Sequence, residues 1–236
     1  MAPEPGRRER LLAALSRTRE DLAAACAAAG REPGSVRLIV VTKNFPASDA
    51  RILIEAGQAD LGENRDQEAA AKAAALAEDG LEPTWHFVGR LQRNKARSVA
   101  EYADWIHSVD RARLVDALDR AAEARGREVG ALLQVSLDGD VSRGGVPVPE
   151  LTALAERVAA SASLRLRGVM AVAPLDWEPL KAFELLAECS QAVRGVDAAA
   201  TEISAGMSGD FAEAIACGAT MVRLGRNVLG ERESMT

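Results

Sequence analysis

The chain has 236 residues, 48% of them hydrophobic and 27% charged, enough for one large domain with its own core and close to the roughly 250 residues of an eight-stranded α/β barrel. A formal charge of -6 leaves no general basic surface for nucleic acid or an anionic membrane, so any anion must be gripped locally. Three cysteines without a CxxC pair (Cys26, Cys189, Cys217) and two distant histidines (His86, His107) offer neither a disulfide framework nor a zinc site, and the cysteines read as small apolar residues in a reducing compartment.

The start, residues 1–10, mixes charges with prolines and lacks an apolar signal core. No apolar run approaches the ~18 residues of a membrane span, so the expectation is a soluble cytoplasmic protein. Arg7 to Ala29 carries leucines at helical spacing and is closed by Gly30. Val36 to Val41 is a strand; its apolar run Leu38-Ile39-Val40-Val41 predicts burial on both faces, and Thr42-Lys43-Asn44 follows. Ser48-Asp49 open a helix to Ala56. Ala59 to Leu61 is a second strand, Gly62-Glu63-Asn64 a polar turn, and Gln67 to Ala77 an alanine-rich helix. Strands follow at Trp85 to Val88 and Trp105 to Val109, with a helix beginning near Asn94-Lys95 between them, and Asp110 caps a helix over Ala112 to Ala124.

Val129 to Val135 is the fifth strand, followed by a Gly- and Pro-containing loop from Leu137 to Pro149 and a helix from Leu151 to Ala162. Leu166 to Met170, Thr201 to Ser204 and Met221 to Leu224 complete the strands, with helices at Pro179 to Val193 and Phe211 to Cys217. Eight strand–loop–helix units in this length predict a single-domain (β/α)8 TIM barrel, residues 1–236, with an extra N-terminal helix.

Barrel active sites lie at the C-terminal strand ends, and loops after strands seven and eight commonly hold phosphate. Ser204-Ala-Gly-Met-Ser-Gly-Asp210 and Leu224-Gly225-Arg226-Asn227 occupy those places; each reads as one side of a phosphate cup or as an ordinary turn. Lys43 ends the first strand. In a desolvated mouth burial would disfavour its ammonium form and leave an amine able to attack an aldehyde; in an open one it only marks the strand's end. Arg223 alternates into the barrel mouth, where it would face either a carboxylate such as Glu63 or a ring nitrogen of a cofactor. Aldehyde capture, ring recognition and phosphate recognition together describe pyridoxal 5'-phosphate (PLP). Glu63, Asn64 and His86 either line that pocket or serve as turn residues and a packed imidazole. Arg90, Arg93, Lys95 and Arg97 form a basic cluster that reads as a solvated face, and Ser142-Arg143-Gly144-Gly145 a mobile mouth loop.

Val41-Thr42-Lys43, Gly62-Glu63-Asn64, the run from Trp85-His86-Phe87-Val88-Gly89-Arg90-Leu91-Gln92 to Asn94-Lys95, and the run from Ser204-Ala205-Gly206-Met207-Ser208-Gly209-Asp210 to Val222-Arg223-Leu224-Gly225 resemble the pyridoxal phosphate homeostasis protein family. That family is itself similar to the N-terminal barrel of alanine racemase. The resemblance implies that Lys43 carries the cofactor as an aldimine, that Arg223 faces the pyridine nitrogen, and that Ser208, Gly225 and Arg226 contribute to the phosphate site, with Met207 also among the cofactor-binding residues. Asn64 and His86 would line the pocket. Arg65, Ser136 and Arg143 depart from the family pattern, which leaves details of the mouth open.

The implied role is holding and buffering PLP as a monomer, without catalysis, with apo PLP-dependent enzymes as recipients. The alternatives are a PLP-dependent amino-acid racemase and a cofactor-free barrel aldolase using Lys43. A racemase needs a second base. The single tyrosine, Tyr102, falls before strand four, and the chain ends at Thr236, so no tyrosine-bearing second domain is expected.

Overall fold

Short β-rich runs, each broken by Gly, Asp or a polar turn, set the frame. The computed structural model describes residues 6–230; residues 1–5 and 231–236, which include part of the charged start and the chain end at Thr236, lie outside the described residues. Eight parallel strands alternate with helices: β1 (Arg37–Val41), β2 (Asp60–Glu63), β3 (Thr84–Phe87), β4 (Trp105–Val109), β5 (Val129–Ser136), β6 (Leu164–Met170), β7 (Glu202–Ser204) and β8 (Met221–Leu224). Each pairs with the next and β8 pairs with β1, closing the TIM barrel that the alternation predicts. The seam register puts Ile39 opposite Arg223 and Val40 opposite Leu224.

The helices are α1 (Arg7–Ala28), α2 (Ala47–Glu55), α3 (Asp66–Glu78), α4 (Ala96–Tyr102), α5 (Ala112–Ala124), α6 (Leu151–Ala159), α7 (Pro179–Val196), α8 (Phe211–Ala216) and α9 (Arg226–Leu229). The extra helix α1 buries Leu11, Leu15 and Leu22 in the same apolar cluster as Leu38 and Val40. It packs against α2, α8 and α9, the units on both sides of the seam. Arg7 ties it to Asp49 (2.6 Å) and to the Leu229 carbonyl, while the following Arg31 donates to the carbonyls of Ile215 and Ala219.

Inside the barrel Ile39, Leu132, Met170 and Met221 form an apolar layer with Trp105 packed on it. Beside these the interior holds buried polar side chains, His86, His107, Ser204 and Arg223, an unusual choice where branched aliphatics dominate.

Three local expectations change. Gly62 and Glu63 extend β2 rather than turning, because they pair with His86 and Phe87 of β3. Asp110 does not cap α5: its carboxylate is engaged by the Arg111 guanidinium and the Gly145 amide, and the N-cap is Arg111. The Leu137 to Pro149 loop contains a two-residue strand, Val146–Pro147, added to the end of β5. The loop at 142–143 is also held, since Arg90 donates to the Ser142 carbonyl (2.8 Å) and Arg143 pairs with Asp138. Cys26 and Cys189 are buried, whereas Cys217 is only half-buried. No described helix is long and apolar enough to cross a membrane.

Candidate functional site

At the C-terminal strand ends a cavity of about 640 Å³ is lined by Lys43, Asn64, Met207, Ser208, Arg223, Gly225 and Arg226. Seven of the eight residues expected at the site thus meet in one place. His86 does not.

Lys43 is placed by its neighbours. Thr42 directs its hydroxyl to Glu63 Oε1 (2.6 Å), and its carbonyl accepts from Lys72 Nζ (2.9 Å). Asn44 then takes a left-handed conformation, φ 64, tolerable for an asparagine, with its amide donating to Glu68. Between these fixed points Lys43 is exposed, and among the described residues its ammonium has no carboxylate partner. The desolvated mouth considered from the sequence is therefore not what surrounds it.

The buried lysine is Lys72. It occupies the inward stripe of α3 with Ala69 and Leu76 and pairs with Glu63 directly below the β1 end. Burial raises the Glu63 pKa, and the attraction of Lys72 and the Lys72 and Thr42 hydrogen bonds oppose this only in part. Glu63 is not the arginine's partner: its Oε1 takes Thr42 and Lys72, its Oε2 is left without a partner among the described residues, and Arg223 is bonded elsewhere.

Arg223 points into the barrel because alternation along β8 turns it away from Val222 and Leu224, and it is 6% exposed. Nη1 donates to Ser204 Oγ (2.6 Å) and Nη2 to the Ala171 carbonyl (2.9 Å). Two of the five guanidinium N–H groups are spent in this way, so donors remain on a residue that lines the cavity. Desolvation lowers its pKa to about 10, with Asp210 pulling the other way, and it stays charged at neutral pH.

The strand-seven loop closes on itself. Gly206 has φ 90, and a Cβ there would stand 2.8 Å from Phe211 Cα, so only glycine fits. Met207 donates its amide to Asp210 Oδ1 (2.6 Å), and Asp210 returns its own to the Met207 carbonyl. The amides of Ser208 and Gly209 make no protein hydrogen bond among the described residues. Across the seam a Cβ on Gly225 would lie 3.1 Å from the Val41 carbonyl, which brings the β8 end close to the Lys43 turn. Asn64 adds a buried Oδ1 without a partner.

His86 lies below this floor. It is fully buried, with Nε2 2.9 Å from Asp60 Oδ1 and Nδ1 3.0 Å from His107 Nε2, and its ring stacks on Trp105. The packed-imidazole alternative is the one realised. Burial lowers the pKa of His86, and that of His107 further, so both are neutral.

Sequence reasoning missed the cavity's apolar wall, Val172 to Leu175 with Trp177, in the loop after β6. Its signal was the Pro174 to Pro179 stretch at a C-terminal strand end, where barrels place function. It also missed the partnership of Lys72, visible as a lysine on an otherwise apolar helix stripe. Of the basic cluster, Arg90 and Lys95 line a neighbouring cleft with Arg65, and Lys95 is paired to Asp66 (3.4 Å).

A closed parallel barrel with a lysine after its first strand and small-residue loops after its last two defines a protein of the alanine racemase N-terminal-domain class, and the model of that family matches residues 22–233. A "Pyridoxal phosphate homeostasis protein" of Mycobacterium bovis is 45% identical over 97% of this chain and 95% of the relative, and one of Escherichia coli K12 is 38% identical over 93% and 95%. The solved structure of PipY from Synechococcus elongatus with PLP bound superposes with a TM-score of 0.78 at 39% identity, covering 89% of this chain and all of that one. Alanine racemase of Corynebacterium glutamicum shares the fold at 15% identity and a TM-score of 0.67, over 95% of this chain and 64% of its own. The chain belongs to the pyridoxal phosphate homeostasis protein family.

Proposed function

We propose that this chain holds pyridoxal 5'-phosphate in the barrel mouth through a covalent link to Lys43 and acts in PLP homeostasis as a monomeric carrier, without efficient turnover. The observation that carries the reading is the convergence on one cavity of about 640 Å³ of a lysine unpaired among the described residues, an arginine with donors in reserve and two loop amides unspent among them. The residues suit the group. When bound, PLP supplies an aldehyde that an amine captures reversibly with loss of water. Lys43 provides that amine. With PLP bound, Arg223 would donate to the ring nitrogen and, being a cation, would keep it unprotonated, which weakens the ring as an electron sink. Ser208, Gly209, Gly225 and Arg226 would take the phosphate with Met207 beside it, and the orphan Oδ1 of Asn64 would accept from a ring substituent.

The rest of the lining favours holding over turnover. Besides Lys43, Asp210 is the lining side chain able to exchange a proton, and its Oδ1 is already bound to the Met207 amide. Tyr102 lines a different cleft, and both histidines lie under the floor. Recipient apo-enzymes would seat on the rim, where Val172, Leu175 and Met207 expose apolar side chains, Leu175 by 99%.

The test is reconstitution with PLP, borohydride reduction and mass mapping of the peptides. The expected result is one reduced adduct, on Lys43. No adduct, or one on Lys72, overturns the assignment. Chiral analysis after long incubation of the loaded protein with amino acids should show little racemisation, and fast turnover would overturn the carrier reading.

A further inference from the structure

We infer that Asp60, at the far end of the barrel from the mouth, fixes the orientation of Arg223 through a one-directional chain of hydrogen bonds, so that Asp60, His86, His107 and Ser204 are positioning residues for the group Arg223 meets. The inference rests on the preceding reading only for the identity of that group.

The chain is continuous. From Arg223 Nη1 it passes to Ser204 Oγ (2.6 Å), from there to His107 Nδ1 (2.9 Å), from His107 Nε2 to His86 Nδ1 (3.0 Å) and from His86 Nε2 to Asp60 Oδ1 (2.9 Å). Ser204, His86 and His107 are all 0% exposed, so no water completes their valences from bulk solvent. The two imidazoles meet edge to face, 5.2 Å apart.

Its direction follows from the two ends. A carboxylate can only accept, so His86 must present Nε2–H to Asp60. A neutral imidazole has one N–H, which leaves His86 Nδ1 an acceptor and requires His107 to present Nε2–H to it. His107 Nδ1 is then an acceptor as well. Ser204 must give it the hydroxyl proton and turn a lone pair to Arg223, which can only donate. Every group therefore has one permitted orientation. Reversing any link sets two acceptors or two protons face to face in a dry interior. Burial, which disfavours the imidazolium of both rings, keeps the chain in the single-proton form this logic needs.

The foot is insulated and anchored. Trp105 stacks on His86 at 5.9 Å, and the Arg37 and Arg167 guanidiniums lie over the Trp105 ring. Arg37 also stands 3.7 Å from Asp60, which is 22% exposed and remains an acceptor. The tether restrains Nη1 from below while the Ala171 carbonyl holds Nη2. The guanidinium plane is thereby fixed relative to the cavity before any ligand arrives, and such pre-organisation lowers the cost of binding.

The test begins on protein without cofactor. Long-range ¹H–¹⁵N spectra of histidine-labelled protein should show His86 and His107 both as the Nε2–H tautomer; a Nδ1–H form or an imidazolium at either position overturns the inference. Asp60→Ala should mix the tautomers of both rings, shift the absorption band of PLP linked at Lys43 and weaken PLP binding by about tenfold, the scale of one hydrogen bond. Asp60→Asn, which keeps an acceptor, should restore all three readouts. Ser204→Ala breaks the chain at its upper end with minimal loss of volume and should reproduce the band shift even if Asp60→Ala fails to fold. Unchanged tautomers and affinity in Asp60→Ala, or an unchanged band in Ser204→Ala, overturn the inference. Absence of any Lys43 adduct in the wild-type protein instead counts against the PLP reading, and the tautomers of the free protein still decide the chain.

Discussion

Lys72 and Lys43 reach the same strand end, one from α3 and one from the turn after β1, and the protein uses them in opposite ways. Lys72 is 5% exposed and spends its ammonium on Glu63 and the Thr42 carbonyl; Lys43, one residue beyond that carbonyl, is exposed and has no carboxylate partner among the described residues. A buried ammonium is stable only when its hydrogen bonds are met, so the desolvated lysine belongs to the scaffold. The amine available to a ligand is the one the scaffold leaves alone. The mouth thus rests on a division of labour: one lysine fixes the backbone and the other is left exposed beside it.

The comparison can be broken most forcefully at the buried lysine. Lys72→Met leaves the Glu63 carboxylate uncompensated, and chemical denaturation should show a loss of about 3–5 kcal/mol, most of it recovered by the double change Lys72→Met with Glu63→Leu. A loss under ~1 kcal/mol would mean the pair is not the anchor.

Smaller effects come from the histidines under the floor. Their native pKa values are lowered, so below about pH 6.5 the unfolded chain binds more protons than the native one and stability falls with acidification, reaching a slope of up to about 1.4 kcal/mol per pH unit for each ring. Glu63, raised above 4.5, works in the opposite sense and offsets part of this slope. Urea midpoints between pH 7.5 and 5 should decline, beginning near 6.5. A flat profile would mean the rings protonate in place.

The smallest stability change belongs to Lys43→Ala, within ~0.5 kcal/mol, as for an exposed side chain, yet the borohydride adduct should vanish. A Lys43→Ala protein destabilised as much as Lys72→Met would erase the distinction between the two lysines.

Most of the barrel was legible in the sequence because its strands are apolar runs with clear stops, and the loops after strands seven and eight stood where a barrel holds phosphate. What stayed hidden depends on register. Glu63 looked like a turn residue until its pairing with Phe87 put it in β2, and whether Arg223 meets that carboxylate could not be read without knowing that Lys72 takes it. His86 shows the same limit. Its inward parity was visible between Trp85 and Phe87, but only the approach of β4 brings His107 against it, and the motif's resemblance drew it toward the pocket instead. Asp110 misled because a good capping residue was claimed by two other partners.

Helix α1 latches the seam between β1 and β8, with Arg7 bonded to a carbonyl 222 residues away. Translation therefore delivers Lys43 long before the loops that complete its cavity. Until the last strand docks, the growing chain carries the lysine without the cavity around it, and the edge of β1 lies open. On the proposed reading, in which the ligand is held from both sides of that seam, loading becomes a sign of finished folding: a truncated or half-closed product would have no site to fill, and the ligand, once held, would favour the closed ring over any opened form.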